Sequence, residues 1–222
     1  MPDRTFNILV VLVVIVVVLI GFLFNNLRSK DGSSIQMVND TSDQTQAEPS
    51  ATPTPTKISF NFPLTQALDR VTKKRFGTYV EPGNSPVSPE KFRGYHTGVD
   101  FEILSSEENS DVQITAICDG ILAIKRTASG YGGLVAQYCV LSGSDVLVVY
   151  GHVRLSSVSQ KIGDEIKTGD KLAFMGTPGP ETDGERKHLH LGIHKGKDLN
   201  IAGYVQTESA LSGWIDPLTV LK

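Results

Sequence analysis

Four stretches constrain this chain's fold more than any other feature: VQITAI (112–117), GILAIKR (120–126), GLVAQYCVL (133–141) and DVLVVYGHV (145–153). Each is short, rich in β-branched residues and bounded by Gly, Ser or Asp. Such runs, recurring every 10 to 15 residues or so, describe an antiparallel all-β domain and no helical bundle. TASGYG, Thr127 to Gly132, separates two of them as a loop, which predicts a hairpin. Gly-Asp pairs in VSQKIGDEIKTGDKLAFMG predict tight turns between further short strands. The 21 glycines suit such a turn-rich fold. One stretch, LTQALDRVTKK from Leu64 to Lys74, reads as a weak helix.

The rest of the chain is of a different kind. Ile8 to Phe24 is an unbroken run of 17 apolar residues. As a helix it would span roughly 25 Å, the short end of what a bilayer of about 30 Å accepts. The run is longer than a usual signal-peptide core, and no small-residue cleavage site follows it closely. We therefore expect residues 1–28 to be an uncleaved membrane anchor, with its helix at about 8–27. Flanking charges balance on the two sides and leave its orientation open. Residues 29–57 are rich in Ser, Thr, Gln, Asp and Pro, with too little apolar surface to offset the entropy of ordering. They read as a tether, and ATPTPT near its end as an extended spacer. The folded domain is expected over 58–222. A formal charge of -3 gives no electrostatic case for nucleic-acid binding.

Chemistry gathers around histidine. The chain has five, and three of them fall within KHLHLGIH, residues 187–194. On a strand His188 and His190 share one face, while Leu189 and Leu191 turn to a core on the other. GYHTGVDFE holds His96 and Asp100, four residues apart. A straight strand would separate their Cα atoms by about 13 Å, whereas zinc needs donor atoms at about 2.0–2.2 Å. A bend at Thr97-Gly98, with Asp100 opening a strand, would bring them together. His96, Asp100 and one histidine of the HLH pair would then supply three N/O ligands and leave a fourth position open, the pattern of a catalytic zinc site. His152, after the Val-rich run, stands at a strand end. His194 lies about 13 Å beyond His190 along an extended strand and is expected on the groove wall or exposed.

HTGVD (96–100), YGH (150–152) and HLH (188–190), in that order, resemble the lysostaphin-type (LytM-like) zinc metalloendopeptidases, which cut bacterial peptidoglycan. RVTKKRFG, AICDGILAIKRTASGYGG and KIGDEIKTGDKLAFMGTPG add to a likeness running from about Val71 to Leu221. The resemblance implies a compact antiparallel β-sheet, sandwich-like domain of the duplicated hybrid motif type, with a narrow groove over the metal. It implies zinc as cofactor, held by His96, Asp100 and His190. It matches His188 and His152 to the two active-site histidines that do not bind metal. Either could serve as the base, and His188 is favoured because it shares a face with His190.

The implied substrate is peptidoglycan, its peptide stems and cross-links. That puts the domain on the outer side of the cytoplasmic membrane and the N-terminus inside. The alternative is a catalytically silent domain that binds wall or activates another hydrolase; the complete set of ligands and histidines weighs against it. A peptidase for secreted proteins is a further rival. Carboxypeptidases that trim D-Ala termini space the first His and Asp more widely. A regulatory partner stays open. Residues 199–213 exceed a minimal domain and could border the groove or be plain surface. Cys118 and Cys139 flank the expected hairpin and are either a disulfide or two buried thiols, neither of them a zinc ligand.

Overall fold

The computed structural model describes residues 60–222. The apolar run and the tether lie outside these residues. Thirteen strands follow one another: β1 (Tyr79–Val80), β2 (Gly94–His96), β3 (Gly98–Glu102), β4 (Gln113–Thr115), β5 (Gly120–Ala128), β6 (Gly132–Leu141) and β7 (Ser144–Gly151), then β8 (Val153–Arg154), β9 (Glu165–Ile166), β10 (Lys171–Met175), β11 (His188–Lys195), β12 (Tyr204–Val205) and β13 (Trp214–Ile215). The central sheet runs β13-β11-β7-β6-β5-β9, with β3 added beside β11, and all its pairings are antiparallel. Two three-stranded sheets, β4-β10-β8 and β1-β2-β12, complete the fold. No helix among the described residues is long and apolar enough to cross a membrane.

The unbroken apolar character of DVLVVYG has a direct cause. Successive strand residues point to opposite faces, and β7 is covered on both. Val146, Val148 and Tyr150 enter the larger core, with Val135, Leu189, Leu191 and Ile193 of the same sheet and Ile114, Leu172 and Met175 of the β4-β10-β8 sheet. Leu147 and Val149 enter a smaller core with Leu134, Ala136 and Tyr131. The register pairs His190 with Gly151 and Leu191 with Tyr150. The histidines of β11 therefore stand on the smaller core's face, and its leucines anchor the strand in the larger core.

The expected hairpin forms, with Ser129 to Tyr131 between β5 and β6. The Gly-Asp pairs are turns in which Asp164 and Asp170 accept from the Lys161 and Lys167 N–H groups. Cys118 and Cys139 are joined in a disulfide, with Cα atoms 6.2 Å apart. The weak helix expected over 64–74 is not there. Only a single 3-10 turn, Ala67–Arg70, forms, after Gln66 in a left-handed conformation. Its polar groups are drawn elsewhere. Buried Arg70 forks onto Glu107 at 2.6 and 2.8 Å and also bonds the Thr65 and Glu102 carbonyls. Long-range ion pairing overrides a modest helix propensity.

Candidate metal centre and active-site groove

His96 ends β2, and the chain turns at Thr97, where N–H and Oγ1 bond the Gly203 and Ala202 carbonyls. The next strand begins at Gly98, so Asp100 lies mid-strand rather than opening it as expected. The turn suffices, because β3 then pairs Asp100 with His190 and Glu102 with His188. Directly opposed residues share a face. Four chemistry-bearing side chains are thus set on one surface by register. Gly98 lets the strands close up: a Cβ there would lie 2.3 Å from the Leu191 carbonyl oxygen and 2.8 Å from the His190 ring.

The structure brings His96, Asp100 and His190 together, all buried. His96 Nε2 is 2.9 Å from His190 Nδ1 and 3.2 Å from Asp100 Oδ1; His190 Nδ1 is 3.3 Å from that oxygen. A tetrahedral centre with bonds of about 2.1 Å would hold its ligand atoms about 3.4 Å apart. The donor set fits such a centre. His96 Nδ1 faces the Arg75 carbonyl at 3.2 Å, and a carbonyl can only accept, so the proton sits on Nδ1 and Nε2 bears a lone pair. Asp100 Oδ1 is buried without a hydrogen-bond donor. A cation among these atoms would satisfy both. Burial alone would lift the Asp100 carboxyl, but the surrounding histidines, His188 and His96 foremost, hold it well below the usual carboxylate range. Burial pushes His190 down to about 4, so it is a neutral imidazole at neutral pH, as metal ligation needs.

His188 and His152 form a second pair, their ring centroids 4.2 Å apart. His188 Nδ1 is fixed by the Arg186 carbonyl at 2.8 Å and His152 Nδ1 by that of Thr182 at 3.3 Å. Each ring therefore keeps Nε2 as a lone pair, and that of His188 is 3.4 Å from Asp100 Oδ2. Burial, reinforced by the neighbouring His188, pushes His152 well below the ordinary imidazole range. His152 has φ of 60°, a left-handed backbone that side chains adopt at a cost. That kink ends β7 and turns the ring into the groove.

His194 is nearly buried, which corrects the expectation of a groove-wall or exposed position. It packs edge-on against Trp214, with centroids 4.8 Å apart, and takes a bond from Asn200. It is outside the metal-binding group.

The groove also has walls that the motifs did not announce. Residues 199–213 form one: β12 pairs with β2, setting Tyr204 opposite His96. The Tyr204 hydroxyl takes a 2.8 Å bond from buried Lys74, which is itself 2.7 Å from buried Glu90. Tyr131 stands across, 5.3 Å from His190, with its hydroxyl on the Ile201 carbonyl. Gly151 makes room for it, since a Cβ there would lie 2.3 Å from the Tyr131 ring. Burial raises both phenols, so they stay protonated. Arg186, whose signal in the sequence was only its place two residues before His188, bonds Asp100 and Glu102.

Comparison with known proteins agrees with this geometry. A family model, Peptidase family M23, matches residues 94–201. Endolysin 2638A of Staphylococcus phage 2638A is 24% identical over 141 residues, covering 57% of this chain and 28% of the endolysin. Among solved structures, one of the SpoIIQ-SpoIIIAH pore forming complex superimposes with a TM-score of 0.51 at 16% identity, over 75% of this chain and 93% of that one. LytU gives 0.43 at 23% identity, over 67% and 81%. At 16% identity the SpoIIQ-SpoIIIAH likeness speaks to fold alone. The matched segment spans the cluster that could hold a metal and both further histidines, and over that segment the chain is similar to peptidase family M23.

Proposed function

We propose that this protein is a membrane-anchored, zinc-dependent endopeptidase that hydrolyses peptide cross-links of bacterial peptidoglycan, with its folded domain on the outer side of the cytoplasmic membrane. One observation carries the reading: three buried ligand atoms within 3.3 Å of one another, beside two imidazoles whose Nδ1 atoms are held by carbonyls, leaving Nε2 free in each. His96, Asp100 and His190 would hold the metal. Two nitrogens and one carboxylate oxygen suit zinc. Zinc held there would supply Lewis-acid chemistry, for a scissile carbonyl and for water as nucleophile near neutral pH.

The chain's own residues do the rest. His188 Nε2 accepts the proton of the attacking water, since its other nitrogen already donates to the Arg186 carbonyl. His152 stands against it and shares the proton traffic toward the leaving amine. Tyr131 and Tyr204, protonated and fixed, present hydroxyls along the groove. Similarity to a peptidase family and the phage endolysin relative support wall as the substrate.

The test uses the full-length chain, purified with and without His188→Ala. The expected result is about one zinc in both proteins, with muropeptides released from purified peptidoglycan by the wild type alone. Zinc in both and release by neither would favour the silent regulator instead.

A further inference from the structure

The conserved chemistry of a metal ligand does not end at its bound atom; something must hold the rest of the side chain. For Asp100 that partner is Arg186. Its guanidinium is largely buried, with the side chain 20% exposed. Nε lies 3.1 and 2.9 Å from the two Glu102 oxygens, and Nη2 reaches both Glu102 Oε1 and Asp100 Oδ2, the latter at 2.9 Å. Asp100 and Glu102 stand two apart on β3 and so share a face. Arg186 is the cation that touches both carboxylates, while Lys73 reaches Glu102 alone at 3.4 Å.

We propose that Arg186 is a positioning residue that pins Asp100 Oδ2 and leaves Oδ1 alone to face the metal. A carboxylate free to rotate can offer both oxygens to a metal or swing away. With Oδ2 held by a planar fork that Glu102 keeps in register, Asp100 presents a single oxygen, the one buried without a donor. The same arrangement serves His188. Its Nε2 lies 3.4 Å from the same Oδ2 that the guanidinium holds at 2.9 Å, so fixing that oxygen also fixes what His188 faces. The Arg186 carbonyl meanwhile orients the His188 ring. One residue thus orders both a ligand and the adjacent base. Lysine could supply the charge but not the fork.

This inference rests on the reading of His96, Asp100 and His190 as metal ligands. The full-length protein is therefore stripped of metal and titrated with zinc, then loaded with cobalt(II) and its visible spectrum recorded. Four proteins are compared: wild type, Arg186→Lys, Arg186→Met, and Arg186→Met combined with Glu102→Met. Arg186→Met is expected to weaken zinc binding about 10- to 100-fold, and to lower the intensity of the cobalt bands as the site gains a ligand. Arg186→Lys should recover only part of either. The double variant also removes the Glu102 charge, which Lys73 alone would otherwise face. It should recover folding stability but not the spectrum or the affinity. Full recovery of both in the double variant would mean that Arg186 only neutralises Glu102, and would overturn the proposal. So would an Arg186→Met protein matching the wild type in affinity and spectrum. A wild type that takes up neither metal would overturn the ligand reading, and this inference with it.

Discussion

His152 concentrates the tension between stability and chemistry in one residue. Its left-handed backbone is needed to end β7 and aim the ring at His188. A β-branched residue resists that conformation, so His152→Val should destabilise the domain by about 1–3 kcal/mol in urea unfolding. His152→Gly should keep the kink with a smaller loss. Both should lose hydrolysis, and a His152→Gly enzyme with full activity would remove this histidine from the mechanism. Alternation put His188 and His190 on one face, and the spacing of His96 and Asp100 asked for a bend between them; that His190 is the one to join them came only from the family resemblance. His194 was misjudged for a related reason. Alternation gives its face but not its neighbour, and Trp214 arrives twenty residues later by way of β13.

At the scale of elements, the strands were legible and their covering was not. β-branched runs announce themselves, while a lysine in RVTKKRFG says nothing of being buried. Lys74 goes inside because Glu90 meets it there, and Glu90 also gathers Ser85 Oγ and the Lys91 and Phe92 N–H groups. Removing one partner strands the other. Lys74→Met should cost about 3–5 kcal/mol, and Lys74→Met with Glu90→Gln should recover most of it; equal losses in the two proteins would show that the pair is not coupled. The segment that failed to become a helix makes a pH prediction. The fork from Arg70 holds the Glu107 carboxyl below its ordinary value. A lowered folded pKa stabilises above the unfolded value, and that contribution is lost as pH falls through the folded one. Acid unfolding should therefore steepen below about pH 4.3 in the wild type, and less so in Arg70→Met.

For the whole molecule, two features far apart in sequence bear on where it works. The Cys118–Cys139 disulfide ties β5 to β6 across 21 residues of sequence. Its open alternative, two buried thiols, could not be settled from sequence, because pairing needs a Cα separation that only the register supplies. Disulfides persist in oxidising compartments and are rare in the cytosol. The apolar run at 8–24 is proposed as the membrane anchor, and its balanced flanking charges leave the direction undecided. On the proposed anchoring the disulfide would supply the missing sign: a domain that keeps it would lie outside the membrane, with the N-terminus within. Replacing both cysteines by serine should cost about 2–4 kcal/mol of stability. In cells, the full chain should sediment with membranes, and protease added to intact spheroplasts should digest the domain. Deleting residues 2–28 should leave the chain in the cytosol, with both thiols free to alkylation. A full chain protected from protease until the cells are lysed, or carrying free thiols in the membrane fraction, would place the domain inside and separate it from the wall it is proposed to cut.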